Sequence, residues 1–309
     1  MKRLVLFLAA AVMVSTVLAG FKYEGEWGKL GQAHGEFNEP LGVDIAPNGN
    51  VYVADSRNYR FQYFTADGSF LGRWPYEPAE GLAIAPNGNV YTGGCIDEES
   101  LVYYFRPTGS ILGSWMTHPG YISYVEGGDV APNGNVYVAG QIVGFFRNDM
   151  VVDYFTDSGS VLGSWYVGDG TERMDVGIAP NGNVYVIYYG RIIYYTANGS
   201  LLGSWGSTGS GPGQFRSPEA VDVGPKGRVF VADAGNDRIQ YFTPTGSFLG
   251  MWGKEGSGPG EFINPSDVRF SPGNGRVYVA DRHNHRIQYF VEDIAVRPTS
   301  LGRVKALFR

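Results

Sequence analysis

The string Ala-Pro-Asn-Gly-Asn-Val-Tyr occurs four times in this chain, at 46–52, 85–91, 131–137 and 179–185. Two looser copies follow, Gly-Pro-Lys-Gly-Arg-Val-Phe at 224–230 and Ser-Pro-Gly-Asn-Gly-Arg-Val-Tyr at 271–278. Repetition at a period of 20–50 residues marks an array of units that cannot bury their faces alone. The prolines of the six copies (Pro47, Pro86, Pro132, Pro180, Pro225, Pro272) lie 39 to 48 residues apart. Every copy is followed by an aromatic pair, such as Tyr63-Phe64 or Tyr241-Phe242, and five then end on Gly-Ser and a Leu-Gly-x-Trp string.

Each unit reads as four short strands. In the first unit these are GVDIA (42–46), VYVAD, FQYFT and FLGRW (70–74). The Asn-Gly between the first two is a strong hairpin signal, and it predicts a turn with both central residues at positive φ. Four-stranded units of about 45 residues are the signature of a β-propeller. Six such units fill 20–290, and the predicted fold is an all-β, six-bladed propeller of antiparallel blades. The sixth unit stops at Phe290 without its tryptophan strand, while YEGEW (23–27) near the start aligns Gly25 and Trp27 with FLGRW. The N-terminal strand is therefore expected to complete the last blade, leaving no free sheet edge and a monomer as the expected state.

Three units match one another most closely: 40–64, 218–242 and 265–290, two of them preceded by GSGPGQFRSP (209–218) and GSGPGEFINP (256–265). In these segments the chain resembles the NHL-repeat propellers. The resemblance implies the fold and leaves the activity open, because this scaffold carries unrelated functions. Related six-bladed scaffolds include amidating lyases with histidine-bound zinc, and lactonases of the gluconolactonase type that hold a metal through Glu, Asn and Asp. Four scattered histidines do not reproduce the first pattern, and the second ligand set does not map onto this chain. A tripartite-motif ligase would need a Cys/His array that one cysteine cannot supply.

Residues 1–19 open with Lys2-Arg3, continue through an apolar run and end at Ala19, which reads as a secretory signal. The body is expected to be exported, at the periplasm or cell surface, with no membrane span and with 291–309 as a tail, a possible sorting or docking segment. Residues 20–290 carry 18 basic and 28 acidic side chains, a net of −10, which argues against nucleic acid as a partner.

Asp55…Arg60, Asp233…Arg238 and Asp281…Arg286 share one spacing around an asparagine and read as structural clamps. Asp44, Asp129 and Asp222 fall at one position of the first strands, which line a propeller axis. They are the candidates for an acidic ring holding Ca²⁺ or Zn²⁺, although satisfied structural carboxylates account for them more simply and no cofactor is expected. His283 and His285 form a weaker candidate pair. The loops between second and third strands and between blades vary most in units two to four. They gather Tyr76, Tyr121, Tyr124, Phe145, Phe146, Arg147, Tyr166, Arg173, Tyr188, Tyr189 and Arg191 on one face. Aromatics mixed with arginine suit a protein or carbohydrate ligand. The expected function is a non-catalytic binding scaffold, and the alternative is a metal-assisted lyase or lactonase at the axial mouth.

Overall fold

The computed structural model describes residues 20–76, 81–96, 99–117, 123–143, 148–171 and 173–293. Six four-stranded antiparallel sheets stand around a common axis. Blade one runs outward through Pro40–Ile45, Val51–Asp55, Arg60–Phe64 and Phe70–Pro75, and blades two to five repeat that order. Blade six takes Pro265–Phe270, Arg276–Asp281 and Arg286–Glu292 from the end of the chain. Its outer strand is Phe21–Trp27, paired antiparallel with Gly25 opposite Tyr289 and Trp27 opposite Ile287. The predicted ring closure is thus observed. The signal segment and residues 294–309 lie outside the described residues. Among the described residues no helix is long and apolar enough to cross a membrane.

The hairpin turn differs from expectation. In Ala46–Asn50 only Gly49 has positive φ (86°), and Asn48 does not. Gly49 N–H donates to Ala46 O at 2.8 Å, and Ala46 N–H to Asn50 O at 2.9 Å. This is a three-residue loop, a turn followed by one left-handed glycine. Pro47 fixes the entry φ, and the Asn48 side chain accepts the Asn50 N–H at 3.0 Å. The asparagine therefore serves as an acceptor, while the left-handed position belongs to glycine alone.

Second strands are buried on both faces because each blade packs between two neighbours, as the all-buried run Val51–Asp55 shows. Their tyrosines tie the ring together in one rotational sense. Tyr52, Tyr91, Tyr137, Tyr185 and Tyr278 each donate a hydroxyl to a carbonyl in the outer turn of the following blade, at Pro107, Asp157, Ala197, Pro244 and Ala66. Blade five has Phe230 at this position, facing the part of blade six where Phe21 pairs with Glu292 and, among the described residues, no turn joins the two strands. There Phe21 packs edge-on against Phe230 (5.4 Å) and stacks on Trp252 (4.7 Å). The other five tryptophans lie against the outer-turn glycine of the next blade. Trp205 does so at Gly246, where an added Cβ would come within 2.2 Å of the indole.

The predicted clamps form. Asp233 accepts Arg238 Nε (2.7 Å), Asn236 Nδ2 (2.9 and 3.0 Å) and Gln240 Nε2 (3.0 Å). Arg238 then donates to the carbonyls of Ser210, Gly211 and Gln214, fastening the glycine-rich approach segment. Asp55–Arg60 and Asp281–Arg286 repeat the arrangement at 2.6 and 2.8 Å. Each approach segment drives one fully buried phenylalanine (Phe37, Phe215, Phe262) between blades.

Candidate functional site

The axis is lined by first-strand residues two apart, because alternate side chains share a face. Asp44, Asp129 and Asp222 do occupy one tier, and Asp175 and Asp267 form a second tier that the sequence reading missed. Each carboxylate accepts a backbone N–H from the next blade: Asp44 from Ile84, Asp129 from Ile178, Asp175 from Val221, Asp222 from Phe270 and Asp267 from Val43. Arg269 stands among them, 5% exposed. It lies 3.6 Å from Asp267 and 4.0 Å from Asp222, and its Nε has no hydrogen-bond partner.

Burial raises these carboxyls, and the Arg269 charge opposes it. Asp44 is pushed up to about 8, Asp175 to about 7 and Asp222 to about 6. Asp129 and Asp267 are raised for the same reason. The three proposed metal candidates are thus employed as inter-blade straps, with a guanidinium supplying the positive charge. Among the described residues no three His, Cys, Asp or Glu side chains converge as a cation cradle. His285 is likewise engaged, its Nδ1 accepting the Glu39 N–H at 3.1 Å.

Above the axis, on the variable-loop face, lies a charged mouth. Glu39 is held by Arg282 (3.0 Å) and Arg57 (3.5 Å), and the Arg282 hydrogen bond lowers its carboxyl below the usual range. Glu219 sits between Arg173 (3.8 Å) and Arg282 (3.9 Å), too far for hydrogen bonds to either. Burial pushes the Glu219 carboxyl up, against the pull of Arg173, Arg282 and His283.

From this mouth a cleft of about 440 Å³ opens outward between blades four and five. Arg173 and Glu219 form its inner end, Tyr189 and Gly190 one wall, and Arg216 and Ser217 the other. Tyr189 is placed by a two-residue hairpin joining Val184–Tyr188 to Arg191–Tyr195, and takes φ 46°. The residue is 43% exposed, and its ring meets Tyr188 edge-on at 4.8 Å. Tyr166 is 50% exposed, and its hydroxyl donates to Asp169 at 2.7 Å. Arg216 is exposed, and among the described residues no carboxylate pairs with its guanidinium.

Of the sequence-predicted face residues, Tyr189 and Arg173 line this cleft. Tyr188 joins the Tyr189 wall, and Arg191 stands exposed at the hairpin base. Tyr76 is turned inward, packed on Phe61 (5.4 Å) and Phe105 (5.2 Å), so it serves the interface of blades one and two. The backbone of Tyr124 pairs with Gln141. Tyr121, Phe145, Phe146 and Arg147 lie outside the described residues. Arg216 and Glu219 were missed because they sit in a unit that otherwise follows the repeat. The signal was available: FNEPLG (37–42), FRSPEA (215–220) and FINPSD (262–267) differ at these two places, and only the middle copy is charged at both.

Residues 37–64 and 262–290 match the NHL repeat. Over 48 residues the chain is 40% identical to the B-box type zinc finger protein ncl-1 of Caenorhabditis elegans, a stretch covering 16% of this chain and 6% of that protein. The chain therefore spans only a small part of that relative's length. Among solved structures, a gluconolactonase from Xanthomonas campestris superposes with TM-score 0.64 at 12% identity, covering 84% of this chain and 88% of that one. Virginiamycin B lyase from Staphylococcus aureus does so with TM-score 0.58 at 12% identity, covering 88% and 99%. At such identity the likeness concerns the fold alone.

Proposed function

Starting from a chain that is an NHL-repeat six-bladed propeller, we propose that it is an exported binding scaffold. Its protein or carbohydrate ligand is held on the variable-loop face beside blades three to five. The observation that carries this reading is the open cleft between blades four and five. Tyr189 exposes its ring there, with Tyr166 exposed nearby, while most aromatics of the chain are spent between blades. An amphipathic ring held on a rigid hairpin supplies contact area at small entropic cost. Export is supported by the basic, then apolar, then small-residue order of 1–19.

The alternative, a metal-assisted lyase or lactonase at the axial mouth, is less favoured because Asp44, Asp129 and Asp222 already accept backbone N–H bonds from the neighbouring blade. The test is capture on a glycan array and from native extracellular protein, comparing wild type with Tyr166→Ala/Tyr189→Asn. Asparagine keeps the left-handed backbone accessible at position 189. Loss of capture with an unchanged melting curve supports the reading; undiminished capture overturns it.

A further inference from the structure

We propose that the cleft between blades four and five recognises a carboxylate-bearing oligosaccharide, with Arg216 as the residue that reads its charge and Tyr189 as the platform for a sugar ring. This inference rests on the cleft being the binding site, and names the ligand class.

Three observations carry it. First, the body is acidic, net −10 over 20–290, yet Arg216 stands exposed on the cleft wall with no carboxylate to pair with among the described residues. Elsewhere in the protein, many guanidiniums are matched: Arg60, Arg238 and Arg286 by clamp aspartates, Arg228 by Glu292, Arg276 by Glu24 and Asp67. A planar guanidinium left open beside a cavity is suited to a carboxylate, which it can grip with two parallel hydrogen bonds.

Second, the backbone on either side of Arg216 is fixed. Its N–H donates to Asp233 of the clamp at 2.8 Å, and its carbonyl accepts from Gly235 at 2.9 Å. The charge is therefore presented from a rigid base, which lowers the ordering cost of binding.

Third, the opposite wall is the Tyr189 ring, and Thr208 and, beside Arg216, Ser217 supply hydroxyls to the cleft. An aromatic face with hydroxyl partners fits the mixed apolar and polar surface of a sugar. A cleft of about 440 Å³ holds a short oligomer and is too small for a folded domain. The inner end holds Glu219 and Arg173, so charged groups are met there as well as on the Arg216 wall.

The test uses tri-galacturonic acid and its neutral methyl ester as probes, titrated calorimetrically against the full chain at moderate salt. The expected result is binding of the acid, with the ester at least tenfold weaker. Arg216→Gln should weaken the acid tenfold or more and narrow the difference between the probes. Tyr189→Asn should weaken both, and Lys226→Gln, on the opposite face, should change neither. Equal binding of acid and ester overturns the carboxylate class while leaving the cleft as the site. Acid binding that survives both Arg216→Gln and Tyr189→Asn overturns the inference and the cleft together. Absence of binding to either probe, alongside glycan or protein capture that depends on Tyr189, overturns the inference alone. So does preference for a tri-aspartate peptide over the sugar acid.

Discussion

Replacing Arg269 by methionine tests the account of the axis. The guanidinium lies 3.6 Å from Asp267, with both side chains 6% exposed. At an effective dielectric near 20, a unit pair at that distance, with Asp267 ionised, attracts by about 4–5 kcal/mol. Removing one partner of a buried pair typically costs about 3–5 kcal/mol. For a domain of this size that is a drop in melting temperature of roughly 6–10 °C. The loss should depend on pH, and the sign is fixed by the aspartates. Asp222, Asp175 and Asp44 are raised to about 6, 7 and 8 in the fold, against an unfolded value of about 3.9. Their favourable contribution is complete below about pH 4 and is lost as pH rises through the folded values. Arg269 limits that loss, because it attracts the carboxylates only once they are ionised. The difference between wild type and Arg269→Met should therefore be smaller at pH 5 than at pH 8, read by circular-dichroism melts. A loss as large at pH 5 as at pH 8 would refute the argument.

Other substitutions probe the ring. Tyr185→Phe removes the hydrogen bond to Pro244 and should cost about 1 kcal/mol in urea unfolding, whereas Phe230→Tyr, which meets no outer turn, should give no stabilisation. Asp233→Asn leaves Arg238 buried without its counter-charge and should cost about 3–5 kcal/mol, with protease sensitivity appearing first near the 209–215 segment. Gly72→Ala should be more damaging than Gly49→Ala by thermal melt. The first Cβ would lie 2.5 Å from the Tyr63 hydroxyl, while the second meets nothing within 4 Å and bears only the strain of φ 86°.

The ring, its closure and the clamps were legible because each is written several times in the chain, and repetition separates pattern from accident. Trp27 identified the closing strand despite its place in sequence. What repetition hid was departure within the regular units. Asp175 and Asp267 stand where blade one has Gly42, so a search along one tier passed over them, although side chains two apart on an inner strand must share the axis. Arg216 and Glu219 are hard to read from sequence because their unit otherwise follows the repeat and its approach segment matches that of blade six. Tyr76 was misread in the opposite direction: its place in an irregular loop suggested a ligand, but the gap beside Phe61 needed filling. The double positive φ expected of Asn-Gly failed because the chain forms a three-residue loop in which Asn48 serves as an acceptor and only Gly49 is left-handed.

The seam at Phe230 and Phe21 bears on circular permutation. Since every blade but the fifth grips the next through a tyrosine hydroxyl and a tryptophan, cutting the chain at any of those five outer turns would strand one of each. Opening at Ala197-Asn198, for example, would leave Tyr137 without its carbonyl and Trp165 without Gly199. The seam of blade six avoids that cost through two aromatic residues, Phe230 in place of a tyrosine and Phe21 in place of a turn. A permutant should tolerate a relocated opening only if those two residues move with it.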